Sequence, residues 1–184
     1  MKFKKKLVYI MKIYLETDRM ILRNFTLDDL SDFHEIFSDP IVMENTEPPY
    51  DLEKSKEFLN SFCIEREPPG GFAAVLKDTG KVVGYVLFNS VDYPEIYEIG
   101  WIFNKDYWRK GYASEICKEL VRHGFVEMKL HKICAEATDA DKSVPLMKKL
   151  GMQQEGVHRK ACKHYGSEWR DLYWYAILAE DYFG

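Results

Sequence analysis

The chain has no apolar run long enough to cross a membrane, no cysteine pair at metal or redox spacing, and no glycine fingerprint of the common nucleotide loops. Each absence excludes something. A membrane helix needs about 20 predominantly apolar residues, so a membrane-spanning helix is excluded and no membrane association is expected. The four cysteines, Cys63, Cys117, Cys134 and Cys162, lie apart, with no C-x-x-C and no histidines at zinc spacing. That pattern argues against a metal site and a disulfide framework and points to the cytoplasm. Neither G-x-G-x-x-G nor G-x-x-x-x-G-K-[ST] occurs, which removes the dinucleotide and Walker loops. An excess of positive charge is also lacking. The net charge is −4, which gives no basic footprint for nucleic acid and weakly favours cationic partners such as amines.

What is present is the composition of a globular domain, 46% hydrophobic and 30% charged over 184 residues, near the size at which one core is the default. The opening stretch Met1 to Ile10 is basic, but its apolar part is short beside the ~7–15 residues of a signal-peptide core. Residues 1–12 are therefore expected to form a loose extension and 13–184 a single domain.

Met20 to Phe25 suits a strand and closes at Thr26-Leu27-Asp28-Asp29, where Thr26 and Asp29 have the spacing of a capping box. Leu30, Phe33, Ile36 and Phe37 then recur at helical spacing up to about Ser38. Asp51 caps a second helix whose face is Ser55, Phe58, Leu59, Phe62 and Cys63, ended by Pro68-Pro69-Gly70-Gly71. Phe72 to Leu76 and Val82 to Phe88 flank a glycine turn as a hairpin. Tyr97 to Phe103 is a strand apolar on both faces, hence central. A long helix follows, with Ala113, Ile116, Cys117, Leu120, Val121, Phe125 and Met128 on one stripe. Lys132 to Thr138 is a strand, Ser143 is placed to cap a short helix with Pro145 in its first turn and Gly151 behind it, and two last strands flank His164-Tyr165-Gly166-Ser167. The order predicts an α/β (α+β) domain on a mixed sheet.

The segment that carries chemistry runs from Glu98 to Ile116: a strand, a turn holding Arg109, Lys110 and Gly111, then the long helix. A helix start presents free amides and the positive end of a dipole, and glycine lets a ligand approach the backbone. Basic side chains at the same place fit the pyrophosphate of a nucleotide-like cofactor.

Trp108-Arg-Lys-Gly111-Tyr-Ala113 resembles the coenzyme-A loop of GNAT acetyltransferases, [QR]-x-x-G-x-[GA], with Trp108 in place of the first residue. The opening Leu15-Glu-Thr-Asp-Arg-Met-Ile-Leu-Arg23, Lys149-Leu-Gly-Met152, and Trp169-Arg-Asp171 leading into Tyr173-Trp-Tyr175 are similar to the branch that includes the ribosomal-protein N-terminal acetyltransferases. The resemblance covers about residues 13 to 180. It implies the acyl-CoA N-acyltransferase fold, a mixed, mostly antiparallel sheet flanked by about four helices, and acetyl transfer from acetyl-CoA to an amine without a metal. It also implies that the amides of Arg109, Lys110, Gly111, Ala113 and Ser114, with Tyr112 among them, hold the pyrophosphate, and that Ile102 and Phe103 pair with the pantetheine arm.

An amine nucleophile must lose a proton. An α-amine has a pKa near ~8 and a lysine amine near ~10, so a base or a water relay is required. By resemblance, Glu98 matches the strand glutamate that is the base in some members, and Ser143 matches a serine able to donate toward the coenzyme sulfur. Aligned on Leu150-Gly151, Ala140 stands where many relatives have an asparagine, and Met147 where others have a tyrosine general acid. Three readings follow: an acetyltransferase acting on a protein α-amine or another primary amine; a polyamine or aminoglycoside-like acetyltransferase drawing a cation with Glu44 and Glu47; and a coenzyme-binding module without turnover. The resemblance implies that residues 44–50 and the last hairpin shape the pocket for the acceptor, a peptide or small-molecule amine. A homodimer is common among such proteins, although no residue demands one.

Overall fold

The computed structural model describes residues 13–163 and 168–184. The expected extension at 1–12 and the turn His164 to Ser167 lie outside the described residues. The chain folds as β1(Tyr14–Glu16), β2(Met20–Asn24), α1(Leu30–Phe37), α2(Leu52–Phe58), β3(Phe72–Leu76), β4(Val82–Ser90), β5(Ile96–Phe103), α3(Tyr112–Val126), β6(Lys132–Ala137), α4(Ser143–Lys149), β7(Gln153–Lys163), β8(Trp169–Leu178) and α5(Ala179–Phe183). The strands form one sheet in the order β1-β2-β3-β4-β5-β6-β8-β7. All neighbours are antiparallel except β5 and β6. The expected mixed sheet is found, with β5 inside it. The first strand segment resolves into a hairpin, β1 and β2, and α5 is an addition to the expected helices.

The sheet is covered on both faces because its central strands are apolar on both. Ile116, Cys117, Leu120, Val121 and Phe125 of α3, with Val144 and Met147 of α4, pack on one face against Phe88, Ile99, Phe103 and Ile133. On the other face Phe33, Ile36 and Phe37 of α1, with Leu59 and Cys63 behind α2, pack against Ala73, Val75 and Tyr85. α2 does not stop at Phe58 but widens into a π-helical stretch over Leu59–Ile64. This keeps Leu59 and Cys63 fully buried.

Asp51 caps α2 by accepting from the Lys54 amide at 2.8 Å. Ahead of α1, the Thr26 amide donates to Asp29 at 2.8 Å. Arg23 grips the same carboxylate through both terminal nitrogens, at 2.7 and 2.8 Å. Burial opposes ionisation of Asp29, yet the Arg23 fork and the Thr26 donors outweigh it and hold its pKa below the usual value. A depressed carboxylate pKa stabilises the fold above the unfolded-state value, and the contribution disappears as pH falls through the folded one. Asp29→Asn should therefore lower unfolding stability by about 1.5–3 kcal/mol at neutral pH, the scale of a hydrogen bond to a charged group. In urea melts the gap to the parent should narrow below about pH 4; a gap independent of pH would contradict the ion-pair assignment.

Candidate active site

β5 and β6 run parallel only from Ile96↔Lys132 to Glu98↔Cys134. Beyond that point β5 continues paired to β4 alone, through Trp101↔Val86 and Phe103↔Gly84, and β6 continues paired to β8 alone, through Ala137↔Tyr173. The two strands part like a fork, and each arm keeps an unpaired edge facing the gap. The gap opens into a cleft of about 600 Å³ lined by Trp101, Ile102 and Phe103 on one arm and Glu136, Ala137 and Thr138 on the other.

The turn before α3 closes one end of this cleft. Gly111 has φ +86° and Arg109 φ +60°, a left-handed conformation that glycine adopts without strain. The first backbone bond of α3 runs from the Glu115 amide to the Gly111 carbonyl at 2.9 Å. Among the described residues the amides of Tyr112, Ala113 and Ser114 thus have no carbonyl partner, as at any helix start. Those three residues, with Arg109 and Gly111, line the cleft. Lys110 does not; its ammonium lies 5.2 Å from the Tyr107 ring. Trp108 returns the turn to the fork, its indole N–H donating to the Phe103 carbonyl at 2.7 Å. Of the eight coenzyme residues expected from the sequence, seven line one cleft and only Lys110 stands outside the lining.

Glu98 lies where the fork begins, with Asn89 and Cys134 as its cross-strand neighbours. It shares its face of β5 with Gly100 and Ile102, opposite to the face that packs on α3. Its carboxylate is half-buried and has no hydrogen-bond or ion-pair partner among the described residues. Burial, and then the Glu136 carboxylate, raise its pKa. It sits beside the cleft lining rather than in it. Gly100, next to it on the same face, leaves an open floor: a Cβ there would make only ordinary contact with Leu87, at 3.6 Å.

Ser143 is not the cap expected from the sequence. It is the first residue of α4, whose cap position is Lys142 with no side-chain cap bond; Asp139, in the preceding turn, accepts from the amides of Lys142 and Ser143 at 2.7 Å each. The Ser143 hydroxyl donates to the same carboxylate at 3.0 Å. Met147 is 1% exposed and belongs to the core beneath α4, so it places no polar group toward the cleft; Ala140 is exposed.

The loop between α1 and α2 reaches the cleft, and its Asn45 and Thr46 line it. Arg170 of the last hairpin donates to the Asn45 side chain, so the two segments expected to shape the acceptor pocket are joined. Glu44 is paired with Lys142 at 3.3 Å and Glu47 with Lys54 at 2.8 Å. No group of three or more His, Cys, Asp or Glu side chains able to hold a metal occurs among the described residues, and none of their helices is long and apolar enough to cross a membrane.

Comparison with known proteins agrees with this geometry. Residues 19–153 match the family model described as "Acetyltransferase (GNAT) domain". The chain is 36% identical over 174 residues to "Uncharacterized N-acetyltransferase YnaD" of Bacillus subtilis, covering 92% of this chain and 99% of that one. It superposes on the crystal structure of a GNAT-family acetyltransferase from Bacillus anthracis with a TM-score of 0.82 and 36% identity, over 91% and 99% of the two chains. A spermidine N-acetyltransferase from Vibrio cholerae, solved with CoA and spermine, shares the fold at TM-score 0.76 and 20% identity, over 91% of this chain and 100% of that one. A forked sheet, a glycine turn at a helix start, and a family model spanning both place the chain in the GNAT family of acetyl-CoA-dependent N-acetyltransferases.

Proposed function

We propose that this enzyme acetylates the α-amine of a peptide or protein, with Glu98 as the base. The observation that carries the reading is the fork, whose arms leave two unpaired strand edges facing one cleft. An extended ligand adds to such an edge through backbone hydrogen bonds. The edge at Trp101–Phe103 suits the amides of the pantetheine arm, and the edge at Ala135–Ala137 suits the backbone of a peptide acceptor. The residues at the turn fit the coenzyme: free amides at Tyr112, Ala113 and Ser114 with Arg109 beside them make an anion cradle. Bound there, acetyl-CoA supplies the activated acyl group as a thioester.

The chain's own groups do the remainder. Glu98, its pKa raised by burial and by Glu136, takes in its ionised form the proton of the incoming ammonium directly or through water. Glu136 adds negative charge on the same side and favours a cationic acceptor. Ser143, oriented by Asp139, offers a polar contact at the start of α4; a thiolate with the pKa of an ordinary thiol, about 8.5, leaves without a strong acid. The pairing of Glu44 with Lys142 and of Glu47 with Lys54 engages the acidic side chains that a polyamine would need on this loop.

The test is acetyl-CoA with a panel of peptides of free N-terminus, blocked peptides containing lysine, polyamines and aminoglycosides, read by mass spectrometry. Acetylation at the α-amine is expected, absent from the blocked peptides. Preferential acetylation of polyamines would contradict the peptide assignment, and no acetylation of any amine would contradict the choice of acceptor class.

A further inference from the structure

The coenzyme turn is gripped from outside the cleft by a residue far away in sequence. Arg19, in the turn between β1 and β2, donates through Nη1 to the Lys110 carbonyl at 3.1 Å, and its guanidinium lies 4.4 Å from the Tyr112 ring centroid. A Cβ placed on Gly111 would stand 3.4 Å from Nη2 of the same arginine. Arg19 is itself fixed. Glu115, in the first turn of α3, accepts from the Arg19 Nε at 2.7 Å and from Nη2 at 2.6 Å. Its other oxygen accepts from the Arg19 amide at 3.0 Å and the Thr17 hydroxyl at 2.6 Å. One carboxylate thus takes four donors from a single turn, and the arginine it holds reaches the carbonyl just before the left-handed glycine. Arg19 does not line the cleft.

We propose that Arg19, clamped by Glu115, is a positioning residue that locks the backbone at Lys110 and Gly111 in the conformation that presents the helix-start amides to the coenzyme pyrophosphate. The geometry has a reason. A turn carrying two left-handed residues has other conformations open to it, and a backbone cradle binds an anion well only when its donors are held in place before the anion arrives. The inference rests on the turn being the anion cradle of the coenzyme.

A direct electrostatic role and a positioning role separate by sign. Glu115→Gln removes a negative charge near the cradle, so charge alone would tighten CoA binding. Loss of the clamp would weaken it instead, while glutamine can still accept from Thr17. Calorimetric dissociation constants for CoA should rise about tenfold or more in Glu115→Gln and in Arg19→Met. The affinity for pantetheine, which lacks the pyrophosphate and is titrated by NMR, should stay within about twofold of the parent in the same variants, since the contact it lacks is the one disturbed. Arg19→Lys, able to keep one contact, should fall between. If Arg19→Met fails to fold, Glu115→Gln decides alone. Unchanged or tighter CoA binding in Glu115→Gln, or equal weakening toward CoA and pantetheine, would overturn the inference. A parent protein that bound pantetheine but gained nothing from the pyrophosphate of CoA would instead overturn the reading of the turn as an anion cradle.

Discussion

Glu98→Gln should lower turnover by about 10²- to 10⁴-fold, the range for loss of a positioned general base, while leaving the affinity for acetyl-CoA and the melting temperature close to those of the parent. The carboxylate has no partner among the described residues, so glutamine, of the same shape, breaks none of their bonds. Its removal even relieves the like-charge contact with Glu136. The pH profile carries the sharper signature. Burial and Glu136 raise the Glu98 pKa, so the ionised base is lost at a higher pH than for a free carboxylate as the solution is acidified. The parental acid limb of kcat/KM should follow Glu98, which must be ionised to take the ammonium proton; in Glu98→Gln only the neutral amine can react, so the limb should move up toward the amine pKa near ~8. Glu136→Gln provides the control. Removing the neighbouring charge lets Glu98 ionise more easily, so the acid limb moves to lower pH with turnover largely retained. A Glu98→Gln enzyme with the parental pH profile would contradict the base assignment.

Gly111→Val should abolish the stabilisation that acetyl-CoA confers. A ligand that binds only the folded state adds about 2.7 kcal/mol at a hundred times its dissociation constant. That increment, read from denaturant melts, is expected to vanish in the valine variant. At φ +86° a β-branched residue meets its own backbone, at a cost of about 1–3 kcal/mol, and the turn relaxes to a geometry in which the amides no longer converge. Gly111→Ala separates the two contributions. Its Cβ only touches Arg19, so crowding is minor and backbone strain dominates; a partial loss is expected. A valine variant stabilised as strongly as the parent would show that the turn is not where the coenzyme binds.

These expectations depend on features that were unequally visible in the sequence. The helix α3 and its start were legible because the signals are local: Ile116, Cys117, Leu120, Val121 and Phe125 repeat at helical spacing, and a glycine stands one residue before the first turn. The apolar character of β5 on both faces placed it inside the sheet correctly. The fork was not legible. Nothing near Glu98 or Cys134 marks the last paired residue, because the parting of two strands is decided by what packs on either side of them. Arg19 and Glu115 were invisible for the same reason: 96 residues separate them, and each alone reads as a solvated charge. Ser143 shows a different failure. Serine is a good helix cap in general, but here Ser143 is already the first helical residue, and its amide and hydroxyl are both bound to Asp139 of the preceding turn. The glutamates of residues 44–50 looked like an acidic lure for a cation, and only the fold reveals Lys54 and Lys142 already beside them.

Hydrogen exchange measured with and without saturating CoA tests the placement of the coenzyme most directly, because it reads the backbone amides themselves. Slower exchange confined to segments covering residues 101–103 and 109–114 is the expected result, matching the open edge of β5 and the helix-start amides. Protection absent from both segments while CoA is bound would contradict the assignment of the forked cleft as the coenzyme site.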